Sequence, residues 1–437
     1  MARVVKREPQ RYLDVLRCAP TSEAEPARAL GSVLSVLDNG DLDGIETVAL
    51  YVAGPALIGF TTWLFREARI KGFSRLAFLS RDGQIAYKLA GYLHPDAAGL
   101  TLDYVPCSRR TLNLASLDVE RMDDARWLFN SFMRSNASDL CARLGLSFQE
   151  FVPLLSRAGV SLDPESRAVG DNPQQLAMNR FLRHPDVIAA VRPLAEQMRG
   201  FTLELIEQRF LNRPDTAIVD AGWTGVMLSS LFALIESSAQ PQVLLWGYQP
   251  RKDRVLPPDH VSSYHFDLRK PDGALRKLRD EPFLFETFCM SDHGIVNGYR
   301  HDERGRVMGT FSSNNPEVEA WGLRRYRSQL FRLIDAMDNP HQISDMPITI
   351  HRLLSEFWLS PTLREAMAWA SYPYDSDPTG TAVRPLAAPF DASDIADAVS
   401  FAEMRGDRAW VPGSLCLSTP STEAIVRAAW LADGTSA

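Results

Sequence analysis

The sequence predicts an α/β protein with a mainly parallel sheet, a helical insertion and a helical C-terminal region. Four short apolar runs have the length of buried strands: 76–79, 102–106, 217–219 and 243–248. Apolar-periodic helical segments lie between these runs, and such alternation is typical of a parallel sheet covered by helices. Two further stretches, 116–200 and the residues after 317, show helical periodicity without a convincing strand.

These patterns divide the chain into four parts. An N-terminal extension, 1–45, precedes an α/β core formed by 46–115 and 201–300. The helical insertion at 116–200 interrupts this core, and 301–437 forms a mostly helical C-terminal region. A chain of 437 residues is long enough for one large domain with such additions.

Composition restricts the classes of function. The chain has 47 Lys and Arg against 54 Asp and Glu, a net charge of −7, which makes it a poor general nucleic-acid binder. Its five cysteines are scattered and form no C-x-x-C pair, which argues for a reducing compartment and against a structural zinc site. We recognise no signal peptide and no run of roughly 18 apolar residues, so we expect a cytoplasmic protein without a membrane span.

The first strand–loop–helix unit lies near residue 80. Gly54-Pro55 is expected to open a long helix that ends at Lys71-Gly72. The strand 75–79 then runs into Ser80-Arg81-Asp82-Gly83, and a helical pattern resumes from Gln84 to Tyr92. The next strand, 102–106, ends at Cys107-Ser108-Arg109-Arg110.

The insertion and the helix after it lead to a second unit of similar build. Short helices are expected at 138–145, 149–159 and 173–181, with Ser138 as the N-cap of the first. A helix at 193–211 precedes the strand 217–219.

The segment from Asp220 to Gly225 is the most informative part of the chain. Asp220 stands where the strand would end, and a helix begins after Gly225 and runs to Leu234. A helix start can hold a phosphate, Gly222 and Gly225 would let the backbone approach an anion, and Thr224 adds a hydroxyl. An ordinary strand-to-helix turn with a capping Thr explains the same residues.

Later segments complete the predicted core. After the strand 243–248, residues 264–267 are expected to form an edge strand and 283–289 a helix. A hairpin should pair 295–300 with 306–311.

Three strand ends are predicted to converge. In a parallel sheet with adjacent strands, the loops after 79, 106 and 220 share one edge. That edge would carry the cations Arg81, Arg109 and Arg110 with the acids Asp82 and Asp220. Because Arg forms paired hydrogen bonds with phosphate, a substrate with phosphates at two ends fits this edge best.

These loops resemble those of known enzymes. Both units are similar to the pyrophosphate and ribose-5-phosphate loops of type I phosphoribosyltransferases, although that second loop usually has two acids where this chain has Asp220 alone. A closer resemblance is to a phosphoribosyltransferase-like module of bacterial polysaccharide biosynthesis, often paired with a haloacid-dehalogenase-type phosphatase. It covers roughly 46–300 and weakens in 116–200. The residues that carry it are Gly54-Pro55, Phe78 to Gly83, Ser108-Arg109 and Val219 to Gly225.

The resemblance implies a phosphoribosyltransferase-like fold and an enzyme that uses phosphoribosyl pyrophosphate (PRPP) as donor. The product would be a 5-phosphoribofuranoside of a glycan acceptor, with release of pyrophosphate. Mg²⁺ would bridge the pyrophosphate and the ribose hydroxyls. No phosphatase portion is recognisable here, so removal of the 5-phosphate would need a separate phosphatase.

Residue roles follow from the resemblance by position. Ser80 to Gly83 would hold the pyrophosphate, with Arg81 neutralising it, and Ser108, Arg109 and Arg110 would add donors there. Residues Gly222 to Gly225, including Trp223 and Thr224, would seat the 5-phosphate. Asp220 would bind the ribose 2- and 3-hydroxyls, and Asp82 with Asp220 would be the ligands of Mg²⁺.

Two residues beyond the loops are candidates for the acceptor side. Glu286 follows an apolar stretch, so a buried acid with a raised pKa is expected, and it joins Asp220, Asp82 and Arg81 as a candidate catalytic residue. His293 is not selected as the catalytic base, because a single His is usually structural. Trp223 is interpreted chiefly as a packing residue.

Two other functions remain open. Asp41-Leu42-Asp43 resembles the D-x-D motif of haloacid-dehalogenase phosphatases, but Asn39 and Gly40 replace the apolar strand that should precede it, which favours a solvated loop. A non-catalytic module that binds a phosphorylated sugar would need the same Arg and Asp residues. Turnover of PRPP distinguishes the transferase from the binding module, and release of phosphate from a simple phosphomonoester would indicate the phosphatase.

Overall fold

The computed structural model is an α/β structure with an all-parallel sheet and a helical C-terminal region, as the sequence predicts. It describes residues 8–94, 99–129, 136–164, 166, 172–250, 256–273, 277–278, 281–312, 315–375, 383–391, 394–395, 401–406 and 408–434.

The described strands form one large sheet and two hairpins. In chain order they are β1 (Arg75–Leu79), β2 (Thr101–Val105), β3 (Thr216–Trp223), β4 (Gln242–Tyr248), β5 (Val261–Asp267), β6 (Val296–His301), β7 (Val307–Phe311), β8 (Pro373–Asp375) and β9 (Val383–Pro385). The sheet has the order β2-β1-β3-β4-β5, and every neighbouring pair is parallel. The predicted sheet and the predicted edge strand at 264–267 are therefore confirmed.

Helices surround this sheet and make up most of the rest of the chain. They are α1 (Glu8–Arg17), α2 (Ala24–Leu37), α3 (Gly44–Val48), α4 (Gly54–Lys71), α5 (Gly83–Leu93), α6 (Arg109–Ala115), α7 (Ala137–Leu144), α8 (Phe148–Arg157), α9 (Pro173–Leu182), α10 (Pro185–Gln208), α11 (Val226–Phe232), α12 (Glu281–Phe288), α13 (Pro316–Trp321), α14 (Leu323–Asp335), α15 (Pro347–Leu359), α16 (Leu363–Ala370), α17 (Phe401–Arg405), α18 (Val411–Leu417) and α19 (Pro420–Gly434).

The strands β1, β3 and β4 are buried on both faces, as expected for parallel strands, whereas the edge strand β2 is partly exposed. Leu76 and Phe78 of β1 belong to a hydrophobic cluster that also includes residues of α4, α5 and the C-terminal helices α14 and α15. The alternating residues Ala77 and Leu79 pack with α6, α10, α11 and the β6–β7 hairpin. A helix layer on each face leaves the strand ends as the open part of the core.

The long helix before β1 begins earlier than the sequence suggested. Helices α3 and α4 are joined by a π-helical turn, Ala49–Ala53, into one helix over Gly44–Lys71. Pro55 lacks an N–H, and the wider turn just before it accommodates that missing donor; Gly54-Pro55 therefore starts the α-helical segment α4 as predicted, but this segment continues a helix that begins at Gly44. Among the described residues this helix is long and apolar enough to cross a membrane, but 94% of its most apolar window is buried inside the structure.

Strand β3 is longer than predicted. We expected it to end at Asp220, but Gly222 and Trp223 still pair with Gly247 and Tyr248 of β4. Asp220 therefore lies within the strand rather than at its end. Its 6% exposure follows from this position between two neighbouring strands.

The insertion has a hydrophobic core of its own, formed by α7, α8, α9 and the start of α10. Its described residues contain no β-strand. The N-cap of α7 is Asn136 rather than Ser138, because the Asn136 side chain accepts the Asp139 N–H. Helix α10 starts at Pro185, and Pro193, which was expected to start it, lies inside the helix.

The C-terminal region adds one unexpected strand pair. The predicted hairpin is present as antiparallel β6 and β7. A second small hairpin, β8 with β9, interrupts the helices of this region.

Candidate active site

The crevice at the carboxyl ends of β1 and β3 is the candidate active site. Strand order reverses between these neighbours, since β2 lies on one side of β1 and β3 on the other. Doubly wound sheets bind ligands at such a switch point, outside the carboxyl ends of the strands. Phe78 pairs with Val219, so Asp220 is level with Leu79, and Asp82 follows at the same edge.

The loop after β1 is anchored to the loop after β2. The Ser80 hydroxyl donates to the Cys107 carbonyl oxygen at 2.6 Å and accepts the Cys107 N–H at 3.0 Å. Ser80 therefore holds the two strand ends together. A Cβ at Gly83 would come within 3.3 Å of Phe78, so glycine allows α5 to start close against the end of β1.

Asp82 precedes α5 without capping it through its side chain. Its carboxylate lies 4.0 Å from the Arg81 Nε. Arg81 and Asp82 both line a cleft of about 140 Å³. We call this the switch-point cleft; its other lining residues are Glu286, Met290, Ser291, Gly294, Ile295, Ser312, Asn315, Glu317, Val318, Tyr372, Pro373, Tyr374 and Val383.

Glu286 enters this cleft from α12. The Trp223 Nε1–H donates to its Oε1 at 3.1 Å, and the Arg109 Nη2 lies 3.8 Å from the same oxygen. Burial, assisted by the Asp82 charge and opposed by Arg109, raises the pKa of Glu286 to about 7. A carboxyl group with such a pKa exchanges protons readily at neutral pH.

Asp220 is the second acid with a raised pKa. Burial raises the pKa of Asp220 to about 8, with a further contribution from the Asp82 charge. Two groups lower the pKa of Asp220: the Ala221 N–H, which donates to Oδ1 at 2.9 Å, and the charge of Arg109. The partly exposed Asp82 and Glu286 thus act electrostatically on the buried Asp220, and groups of acids with raised pKa values are enriched at functional sites.

The turn after β3 needs its glycines for packing. Gly222 has φ +130°, and a Cβ there would lie 2.2 Å from the Gly247 carbonyl oxygen. Gly225 has φ +71°, and a Cβ there would lie 2.8 Å from Leu256. Thr224 lies between them, and α11 has only 7 residues, so a phosphate here would depend on the turn's own N–H groups more than on a helix dipole.

Trp223 has a structural and an orienting role. Its ring stacks on Phe266, with centroids 5.7 Å apart, and meets Phe285 edge-on. Its N–H fixes Glu286, as described above. The packing expected of Trp223 therefore also positions a candidate catalytic group.

In the loop after β2, Arg109 contacts an acid of the candidate site and Arg110 does not. Ser108 caps α6, accepting the Thr111 N–H and donating to the Val296 carbonyl oxygen. Arg109 reaches Glu286, whereas the Arg110 guanidinium lies beside Gly145 of the insertion, where a Cβ would be 3.0 Å from Nη2. Neither arginine lines the switch-point cleft itself, and Arg109 acts there through its ion pair with Glu286.

His293 is engaged at both ring nitrogens. Its Nδ1 donates to the Gly294 carbonyl oxygen at 2.8 Å, and Nε2 accepts from the Tyr104 hydroxyl at 2.7 Å. Burial lowers the pKa of His293. These contacts suit the structural role expected for this residue.

Two tyrosines of the cleft were not foreseen. Tyr372 and Tyr374 come from the β8 segment, and burial raises the pKa of both phenols. The Tyr-Pro-Tyr alternation indicates a short extended segment, but nothing in the sequence indicates that it reaches the ends of β1 and β3.

Asp82 and Asp220 are the predicted ligands of Mg²⁺. The described part of the chain contains no group of three or more His, Cys, Asp or Glu side chains arranged to hold a metal. Mg²⁺ is commonly held by one or two carboxylates together with substrate phosphates and water. Asp82 and the buried Asp220 fit that mode, because a cation would offset the cost of charging Asp220.

The D-x-D segment has a structural role. Asp43 caps α3 by accepting the N–H groups of Ile45 and Glu46, and it forms an ion pair with Arg325. Asp41 lies in the preceding loop, and no described strand runs into it.

Comparison with known proteins assigns this chain to no family. No protein-family model matches the chain, and no curated protein matches it. The function proposed below therefore depends on the side chains at the switch point.

Proposed function

We propose that the protein is a PRPP-dependent phosphoribosyltransferase that transfers 5-phosphoribofuranose to a glycan acceptor in bacterial polysaccharide biosynthesis. The observation that supports this most is the meeting of Asp82, Asp220 and Glu286 with Arg81 and Arg109 around the ends of β1 and β3. Cations suit a pyrophosphate leaving group, and carboxylates suit the positive charge that develops on the sugar.

The donor would extend across the crevice. Its pyrophosphate would lie at Arg81 in the switch-point cleft, and its ribose hydroxyls would face Asp220. A cleft of about 140 Å³ accepts only part of such a ligand, since whole-ligand sites usually have several hundred Å³. The 5-phosphate would therefore lie outside the cleft, at the Gly222–Gly225 turn.

The transfer step breaks the bond from C1 of ribose to the pyrophosphate oxygen, and the bond electrons leave with the pyrophosphate. An acceptor hydroxyl oxygen forms the new bond to C1. Glu286 takes the hydroxyl proton, since its pKa of about 7 leaves a large unprotonated fraction at neutral pH. Arg109 and the Trp223 N–H stabilise that carboxylate before the proton arrives.

Asp220 would respond to the charge on the sugar. With a pKa of about 8 it is mostly protonated at pH 7 in the absence of substrate. A ring that becomes positive favours the ionised carboxylate, so the interaction strengthens toward the transition state. Mg²⁺ held by Asp82 and Asp220 would neutralise charge on the pyrophosphate. A separate haloacid-dehalogenase-type phosphatase would then remove the 5-phosphate.

Calorimetric titration with PRPP and Mg²⁺ tests the donor site. Arg81→Ala should weaken binding, because a charge-assisted hydrogen bond worth about 1.5–3 kcal/mol is lost. The control Arg304→Ala removes an exposed arginine from the turn between β6 and β7 and should bind normally. Unchanged affinity in folded Arg81→Ala would remove Arg81 from the site.

A further inference from the structure

A second cavity lies where the α/β core meets the insertion. It has a volume of about 550 Å³, within the usual range of ligand sites and larger than the switch-point cleft. We call it the insertion groove; its lining residues are Ser116, Leu117, Asp118, Arg121, Asp124, Ala125, Trp127, Ser229, Ser230 and Ala233. The residues proposed to bind PRPP do not contribute to it.

The floor of the groove is firmly held. It is formed by Ser229, Ser230 and Ala233, at and just beyond the C-terminal end of α11. The Ser230 hydroxyl is buried and donates to the Asn113 Oδ1 at 2.7 Å, which joins α11 to α6. A floor fixed in this way keeps its shape in the absence of a ligand, so little ordering would be needed on binding.

The opposite wall belongs to the insertion. Trp127 is half-buried and packs on the insertion's own core, so its ring is held in place. Arg121 and Asp124 form an exposed ion pair at the rim. Asp118 accepts the Glu120 N–H at 3.1 Å and begins the short helical turn that carries Arg121.

This combination of side chains suits a saccharide. A fixed indole ring offers an apolar surface for the C–H face of a sugar, and hydroxyl, carboxylate and guanidinium groups around it can bond to sugar hydroxyls. The groove has two acids and one arginine, a balance that disfavours a phosphate-rich or strongly acidic ligand. A neutral glycan chain fits this charge best.

The groove also lies close to the proposed transfer site. Helix α11 begins directly after Thr224 and Gly225, and a helix rises about 1.5 Å per residue. Ser229 is therefore roughly one helical turn from the loop assigned to the 5-phosphate. A chain of sugars seated on α11 could reach from the groove toward the strand ends.

We propose that the insertion groove binds the distal sugars of a neutral glycan acceptor. The assignment to an acceptor rests on the proposed transferase function, whereas saccharide binding by the groove stands on its lining alone. The insertion would then serve as the acceptor-binding unit, and the α/β core as the donor-binding unit.

An array of neutral and acidic oligosaccharides tests whether the full-length protein binds a glycan in the insertion groove. The affinities of the oligosaccharides that bind are then measured by saturation-transfer NMR. We expect neutral oligosaccharides to bind. Ala233→Arg, which places a bulky side chain at an exposed position of the floor, should weaken binding at least tenfold. The control Ser237→Arg makes the same change on a nearby exposed turn and should bind normally.

The platform role of Trp127 has its own readout. Trp127→Ala should no longer bind the neutral oligosaccharides, and Trp127→Phe should retain much of the binding because it keeps an aromatic face. Circular dichroism melting curves would show that each variant is folded. Equal loss in both variants, with both folded, would overturn the platform role.

The outcomes separate this proposal from the proposed function. If Ala233→Arg abolishes glycan binding but the protein never turns over PRPP, glycan binding by the groove is supported and the transferase function is contradicted. PRPP turnover without any bound oligosaccharide, or with glycan binding unaffected by Ala233→Arg, would overturn the groove. A dimer in light scattering that Ala233→Arg dissociates would also overturn it, since the groove would then be a protein interface.

Discussion

Asp292, which contacts α5, differs in its environment from the two acids Asp220 and Glu286 of the candidate active site. Asp292 receives the Gln84 amide N–H at 2.7 Å and forms ion pairs with Lys88 and Arg327. Despite partial burial, these partners hold its pKa well below the usual range. Asp220 is buried and Glu286 is half-buried, both receive fewer donors than Asp292, and their pKa values are raised.

The contrast distinguishes an acid that holds the structure together from one poised for a ligand. Arg327 also donates to the Met290 carbonyl oxygen at 2.8 Å, so the Asp292 cluster fixes the segment that forms one wall of the switch-point cleft. Buried acids without full pairing cost folding free energy. Their presence at a strand-order switch point is what a binding or catalytic site requires.

The largest expected effect is on the reaction itself. Glu286→Gln should keep the fold and lower the transfer rate by roughly 10²–10⁴, the range for loss of a general base. Steady-state release of pyrophosphate in the presence of acceptor measures it. Glu317→Gln is the matched control, because it is the same change at an exposed acid of the same cleft. Equal rates in the wild type and Glu286→Gln would remove Glu286 from the chemistry.

A smaller effect is expected on stability from the paired cluster. Arg327→Met removes a guanidinium that contacts Gln84, Asp292 and Met290. Lys88 still pairs with the partly exposed Asp292, so we expect a loss of about 2 kcal/mol, below the range for fully buried pairs. Chemical denaturation measures the free energy of unfolding. An unchanged value would show that the cluster does not hold this wall.

The subtlest effect is the pH dependence of stability, and it should have opposite signs for the two groups. Asp220 keeps its proton in the folded state up to about pH 8, whereas it loses it near pH 4 when unfolded. Its contribution to stability therefore declines as pH rises through this window. Asp220→Asn should gain stability relative to the wild type between pH 5 and about pH 8.

Asp292→Asn should behave in the reverse manner. The folded pKa of Asp292 is depressed, so its contribution is present above pH 4 and declines as pH falls through the folded pKa. The deficit of Asp292→Asn should therefore be full at neutral pH and shrink in acid. Melting temperatures of both variants across pH 3–9 measure this. Parallel pH profiles for the two variants would remove the distinction between the groups.

The sequence predicted the parts of the site that depend on local rules. The strand-end rule was sufficient to place Asp82 and Asp220 at one edge, and the apolar residues before Glu286 indicated an acid with a raised pKa. The orientation of Arg110 could not be predicted, because it depends on Gly145 in the separately packed insertion. Tyr374 could not be assigned to the site either, since its hairpin reaches the cleft only through tertiary packing.

The acid clusters show the same limit. Asp292 and Glu286 lie close together in the chain and follow similar apolar residues. What separates them is the set of partners of Asp292, which come from distant parts of the chain: Lys88 and Gln84 of α5 and Arg327 of α14. Whether a buried or half-buried acid has cationic partners or a raised pKa thus depends on tertiary packing, which the local sequence does not reveal.

The most direct test of the proposed function is a stoichiometric transfer assay. Protein, PRPP, Mg²⁺ and a panel of glycan acceptors are incubated while pyrophosphate release and acceptor mass are followed together. We expect one phosphoribosyl unit gained per pyrophosphate released, with inversion at C1, and strong suppression in Asp220→Asn. Pyrophosphate released steadily without acceptor would indicate a hydrolase instead, and tight PRPP binding without turnover on any acceptor would contradict the transferase.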